Sequence, residues 1–223
     1  MPVSATSASE KLAGKFIVIE GLEGAGKSTA IVYIKKWLFL QNIATDNVVY
    51  TREPGGTVLA EKMRDIVKQE VPGERLQDKA ELLLMYAARV QLVEHIIKPA
   101  LGAGKIVVGD RHNMSSLAYQ GGGRGIDLQL INEIKQIALG DFKADLTLYL
   151  DIDPELGLSR ARGRGELDRI ERQAIDFFQR TRGVFHVLVA QDDDAISIDA
   201  SESPELVEQA VFSALDKWLA SLA

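Results

Sequence analysis

The chain has 223 residues, 46% hydrophobic and 26% charged, with a formal net charge of −6 and no cysteine. That is a globular composition with room for one large α/β core. It excludes disulfides, thiolate metal sites and a cysteine nucleophile, and its acidity argues against holding nucleic acid by general electrostatics.

No apolar run approaches the roughly 20 residues needed to span a bilayer. The opening "MPVSATSASEK" has neither a basic nor an apolar region of the secretory kind, so the expected setting is cytoplasmic. Residues 1–13 read as a disordered tail and residues 14–223 as a single domain. "KFIVIE" (15–20) is a β-branched and aromatic run ending at glycine, a buried strand. After a glycine loop, "KSTAIVYIKKWLFL" has helical spacing. "NVVYTREPGG" holds a second strand, broken by Pro54, Gly55 and Gly56. "TVLAEKMRDIVKQE" is a helix that stops before "VPGE". From Asp78 to about Ala100 a helix is apolar on nearly every side, so it should be largely buried. "KIVVGDR" (105–111), "DLTLYLDID" (145–153) and "AISIDA" (195–200) are the third, fourth and fifth strands. The closing helix has Ser203 as its N-cap and Pro204 in its first turn. Strands of this buried type alternating with helices predict a five-stranded parallel sheet with helices on both faces.

Gly21, Leu22, Glu23, Gly24, Ala25, Gly26, Lys27 and Ser28 fit G-x-x-x-x-G-K-[ST] between a strand and a helix. The glycines let backbone N–H groups turn inward, and the helix N-terminus adds its positive end. Lys27 reaches the β- and γ-phosphates and Ser28 can ligate magnesium. The loop binds a nucleoside triphosphate. An N-K-x-D motif for a GTPase switch and an L-S-G-G-Q-like signature are both absent.

Ligands of open α/β sheets sit outside the carboxyl ends of the strands. That edge should hold Glu20, the phosphate loop, Thr51 to Glu53, Asp110, Arg111 and the residues after Asp151. Asp110 is either a magnesium-orienting carboxylate or a strand-end cap. Arg111 is either an anion fork or a surface ion pair. Met85 and Arg89 share one helix face, and a buried guanidinium there needs a partner, a protein carboxylate or a ligand phosphate or base. "SRARGRGELDRIER" (159–172) carries Arg160, Arg162, Arg164, Arg169 and Arg172. It is either a solvated helix or a mobile arginine lid over transferred phosphate. His95, His112 and His186 have no metal-ligand spacing, and Phe177, Phe178 and Phe185 read as core.

With "IEGLEGAGKS", "TREPGGT", "LLLMYAARVQL", "GDRHNMSSLAYQGGGRG", "ARGRGELDRIE" and "IDA" in this order, the chain resembles the bacterial type of thymidylate kinase from Lys15 to the last helix. The resemblance implies a nucleoside-monophosphate-kinase fold with a lid at about 160–169, usually as a homodimer. It implies transfer of the γ-phosphoryl of ATP to dTMP, with Mg2+ on Ser28 and Asp110. Residues 21–28 would hold the ATP phosphates, and Asp199 and Ala200 would border the adenine. Arg89 and Arg111 would hold the dTMP phosphate and base, with Arg64 and Arg52, Glu53 and Pro54 closing that pocket. Ser116 and Gln120 would contact thymine, Tyr119 the sugar, and Glu171 would line the acceptor pocket. Met85 stands where many relatives stack a phenylalanine on thymine, and Ile170 where some have tyrosine. Glu23 would accept from the 3′-OH. Gly24 takes the slot of a loop arginine found in other members, whose charge Arg160 or Arg164 would replace. The remaining rivals are a kinase for another nucleotide or a deoxynucleoside, and a non-catalytic nucleotide switch.

Overall fold

The five apolar runs become β1 (Phe16–Gly21), β2 (Val48–Arg52), β3 (Ile106–Asp110), β4 (Leu146–Asp151) and β5 (Ala195–Asp199). The computed structural model describes residues 7–163 and 168–222. All strand pairs are parallel, in the order β2-β3-β1-β4-β5. The chain therefore builds one side of the sheet from β1 through β3 and then crosses to the other. That reversal puts a crevice at the carboxyl end of β1, where the phosphate loop begins.

Along β1 the side chains alternate. Ile17 and Ile19 join a core with Ile34, Trp37 and Leu38 of α2 (Lys27–Leu40) and, from the last helix, Leu215 and Trp218. Phe16 and Val18 face a second core with Leu92, Val93, Ile97 and Leu139. Both faces of the sheet are covered, as the apolar strands require.

Two departures from the sequence reading have clear local causes. Residues expected in a disordered tail form α1 (Ala8–Leu12), because Ser7 and Glu10 make a capping box and Leu12 is fully buried. Residues 1–6 lie outside the described residues. After α3 (Val58–Lys68), the long apolar helix is interrupted: α4 (Asp78–Leu92) leads through a π-helical turn at Val93–Ile97 into α5 (Lys98–Gly102). There the Lys98 N–H reaches back to the Val93 carbonyl, and Pro99, which follows, has no N–H to donate.

Beyond β3 come α6 (Asn113–Ser116), a π-helical stretch Leu117–Gly123, and α7 (Leu128–Leu139). The chain then adds α8 (Pro154–Arg162), α9 (Ile175–Ala190) and α10 (Pro204–Ser221), the last capped by Ser203 as its sequence predicts. No helix among the described residues is long and apolar enough to cross a membrane.

Candidate active site

β1 delivers the phosphate loop to the sheet edge, and buried Leu22 and Ala25 anchor it to the core. Lys27 bridges back across the loop, donating from Nζ to the carbonyls of Gly21 (3.1 Å) and Leu22 (2.8 Å). Burial, with the nearby Arg111 charge, pulls its ammonium down to about 8, against the opposing pull of Asp110, Glu23 and Glu20. Gly24 is at φ +74°, and a Cβ there would lie 1.9 Å from the Gly157 carbonyl oxygen of α8. A Cβ on Gly157 would in turn meet the Glu23 carbonyl at 2.5 Å. The two glycines thus press the loop directly against α8, backbone to backbone. The slot expected to want an arginine has no room for any side chain.

Arg111, immediately after β3, adopts a left-handed conformation at φ +71°. This turns its guanidinium onto the Ser115 hydroxyl (3.0 Å), the Glu23 carboxylate (2.9 Å) and the Tyr119 hydroxyl (3.1 Å). Tyr119 donates to the other Glu23 oxygen at 2.7 Å. Burial opposes the Arg111 charge, but Tyr119, Glu23, Asp110 and Glu20 outweigh it and hold the guanidinium protonated above its usual range. Beneath this group lies Glu20, fully buried, whose pKa burial pushes up although Arg111 and its own hydrogen bonds oppose the shift. It accepts from the backbone of His112 and Ser115 and from the Ser115 hydroxyl, fixing the segment that carries Arg111.

Arg89 has the protein partner that its burial demanded. Only 1% exposed, it donates from Nε to Glu53 (2.6 Å) and from Nη2 to the His112 carbonyl (3.0 Å) and Ser116 hydroxyl (2.9 Å). The second Glu53 oxygen is 2.8 Å from His112 Nδ1. Burial alone would raise the Glu53 pKa, yet Arg89 and His112 bring it below the usual carboxylate value. Arg89 and Ser116 lie behind the cavity wall. Arg89 Nη1 has no hydrogen-bond partner among the described residues.

Arg52 forms a forked pair with Glu61 at 3.0 and 2.8 Å, and Arg64 donates to the Pro54 carbonyl at 2.7 Å. Burial and the neighbouring Arg52 charge depress the Arg64 pKa, against Glu61 and Asp168.

These groups surround a cavity of 210 Å³. Its wall takes in Glu23, Gly24, Gly26, Lys27 and Ser28 from the loop, Asp110 from the end of β3, and Arg111 and Tyr119 from beyond it. Arg52, Glu53, Pro54, Arg64, Met85, Gln120 and Glu171 line it too, as does Ile170. The structure thus gathers the residues expected on the donor and acceptor sides into one space. Asp110 Oδ1 is buried without a partner among the described residues, and Ser28 lines the same cavity. Three-residue His/Cys/Asp/Glu metal clusters are absent among the described residues. Magnesium, which keeps waters and takes phosphate oxygens, needs only one or two protein ligands, so these residues fit it.

Several expected site residues do not line this cavity. Arg160, expected over the phosphates, is exposed and donates to the carbonyls of Ala200 (2.7 Å) and Ser201 (3.3 Å). Its helix continues to Arg162 and carries the guanidinium to the β5 edge. Asp199 and Ala200 stand there with it, away from the cavity wall, the Asp199 carboxylate accepting from Ser201. Arg164 lies outside the described residues, as do the other residues of 164–167.

Glu81 was missed. It is 1% exposed and accepts from Gln120, Arg124 and Arg169. A signal existed: Glu81, Met85 and Arg89 recur every four residues along one helix face. Glu61, which ties Arg52 to the Gly56 N–H, carried no comparable signal.

The thymidylate kinase family profile matches residues 19–211. The solved structure of thymidylate kinase from Ehrlichia chaffeensis superposes with a TM-score of 0.70 at 29% identity. The match covers 90% of this chain and 98% of that one. With a phosphate loop and a charged acceptor cavity at the switch point of a five-stranded parallel sheet, the chain belongs to the thymidylate kinase family.

Proposed function

We propose that the protein transfers the γ-phosphoryl group of ATP to dTMP, giving dTDP and ADP, as an ATP-dependent nucleoside monophosphate kinase. The observation that carries this reading is the joining of Glu23 to Arg111 inside the cavity bordered by the phosphate loop. Arg111 supplies a fixed cation for an acceptor phosphate, and Glu23 supplies an acceptor for a sugar hydroxyl next to it. An uncharged nucleoside would bring no phosphate to that guanidinium, which would keep only its pairing with Glu23.

The attacking oxygen is already an anionic phosphate, so no general base is required. Catalysis is positioning and charge stabilisation. Residues 21–28 cradle the donor phosphates. On nucleotide binding, Lys27 exchanges its two loop carbonyls for phosphate oxygens. Ser28 and Asp110 would hold Mg2+, which when bound neutralises phosphate charge. Arg111, with Arg64 and the Arg52-Glu53-Pro54 loop, aligns the acceptor phosphate. Met85 packs on the base through its thioether. Arg89 acts on the acceptor from behind the wall, through Glu53. Arg164, in the lid, is the candidate to approach the transferring group; Arg160 would first have to leave Ala200.

A coupled assay of ADP release across dTMP, dUMP, dCMP and thymidine tests the reading, with dTMP expected to be best. Best activity on thymidine would refute it, and slow hydrolysis without acceptor dependence would favour a non-catalytic nucleotide switch.

The protein acts as a cytoplasmic homodimer in this reading. Val58, Leu59 and Ile66 of α3 and Leu83 of α4 are 77%, 51%, 50% and 57% exposed on two helices that pack together. Such an apolar surface suits a second copy. Ile66→Lys with Leu83→Lys should yield monomers in analytical ultracentrifugation.

A further inference from the structure

Gln120 is fully buried and lines the cavity, yet only half of its amide is engaged. Nε2 donates to Glu81 Oε1 at 2.9 Å, while Oε1 accepts no hydrogen bond among the described residues. A glutamine amide can be turned end for end, exchanging donor for acceptor. Here one partner removes that freedom. Glu81 is itself buried, and its second oxygen is held by Arg124 (3.1 Å) and by Arg169. A carboxylate so engaged has only acceptors to offer, so the amide nitrogen must face it. That orientation turns the carbonyl oxygen, which is without a partner among the described residues, away from Glu81 and leaves it for a ligand.

We infer that Glu81 is a specificity-determining positioning residue, locking the Gln120 amide end for end so that its carbonyl oxygen is the end presented to the nucleobase. The inference rests on the assignment of the cavity to a pyrimidine nucleotide. Thymine and uracil carry N3–H, a donor that matches the Gln120 carbonyl. Cytosine carries a bare N3 lone pair, which that carbonyl repels. The lock therefore excludes cytosine and is indifferent to the 5-methyl group. Arg169, which also holds Glu81, donates from Nε to the Val67 carbonyl at 2.8 Å. Burial alone would raise the Glu81 pKa, but Gln120, Arg124 and Arg169 bring it below the usual value, which keeps the acceptor-only form at neutral pH.

The test is the ratio of kcat/KM for dTMP over dCMP, which does not depend on the fraction of active enzyme. In Glu81→Gln the new amide can accept or donate, so Gln120 can turn over. The ratio should fall at least about tenfold, since rejection by an unmatched buried polar group is lost. Glu81→Asp should restore part of it. Arg169→Leu, which leaves the Glu81–Gln120 bond intact, should keep the ratio within about twofold even if KM rises. An unchanged ratio in Glu81→Gln overturns the inference while leaving the kinase reading intact. A native chain with no dTMP-dependent turnover overturns the kinase reading instead. Should Glu81→Gln not fold, the native chain decides by NMR. The Gln120 side-chain amide protons should resist solvent exchange without nucleotide and stay in place when dTMP is added. Free exchange, or a shift into contact with the base, contradicts the lock.

Discussion

Between Gly21 and Ser28 the phosphate loop is one contiguous stretch whose glycines bring main chain to the cavity wall beside Lys27 and Ser28. The acceptor side draws on side chains from residues as distant as Glu23 and Glu171, and it rests on buried ion pairs such as Arg89–Glu53 and Arg124–Glu81. A backbone-built site depends on shape, so its weak points are steric. A side-chain-built site depends on charge matching, so its weak points are unpaired groups left in a low dielectric. The largest effects should come where each half meets the reacting phosphate. Arg111→Met should lower kcat/KM for dTMP by on the order of 10³ or more, with ATP affinity within a few-fold of native. Lys27→Met should bring a comparable loss through ATP. Steady-state kinetics with both substrates varied would check this, and equal damage to both substrates in either variant would break the division into halves.

Stability should separate the halves next. Glu53→Ala leaves the Arg89 guanidinium, 1% exposed, without its counter-charge, and should destabilise the fold by about 3–5 kcal/mol. Ser28→Ala, on the loop, should change it by under about 0.5 kcal/mol. Urea denaturation of the two variants measures the contrast.

The same contrast explains what could be read from the sequence. A contiguous motif with its strand and helix is visible in one chain, so the phosphate loop, the five strands and the parallel sheet were legible. Arg111 and Asp110 were legible too, because a strand's carboxyl end is a predictable place, whereas Tyr119 came only through the family resemblance. The Arg89 partner was not, since spacing along α4 cannot tell whether Glu53 or a ligand arrives from another segment. Glu81 was hidden for a related reason: its partners Gln120, Arg124 and Arg169 come from segments that only the fold brings together. The Arg160 contact was not legible either, because it depends on how far α8 continues, and α8 carries it to the Ala200 carbonyl. Gly24 was taken for an absence of charge, whereas its reason is the approach of Gly157.

That approach gives an effect of intermediate size. In Gly24→Ala the new Cβ must displace α8 or the loop, and the residue must also hold φ +74°. The expected loss is about 1–3 kcal/mol, with reduced turnover. Gly24→Arg should do no better, although it installs the charge that the loop lacks. If Gly24→Arg kept native stability and relieved the effect of Arg164→Ala, the steric account of this position would fail. Thermal denaturation and the ADP-release assay together decide it.

The smallest effect separates the halves by titration. Burial and Arg111 hold the Lys27 ammonium at about 8 in the free protein, so it begins to lose its proton just above neutrality. Bound phosphates favour the charged form and raise that pKa, so ATP binding above pH 8 must take up a proton. ATP affinity should therefore be flat below about pH 8 and decline above it by at most tenfold per pH unit. Arg111 behaves differently: its surroundings hold the guanidinium protonated beyond this range, and the dTMP phosphate, with a second pKa of about 6, is already ionised. Affinity for dTMP should stay level from pH 7 to 9. Calorimetric titration of each nucleotide in buffers of different ionisation enthalpy counts the protons. Lys27→Arg, which cannot lose its charge, should flatten the ATP profile. A decline that persists in Lys27→Arg, or one shared by dTMP, would assign the titration to another group and dissolve this difference between the two halves.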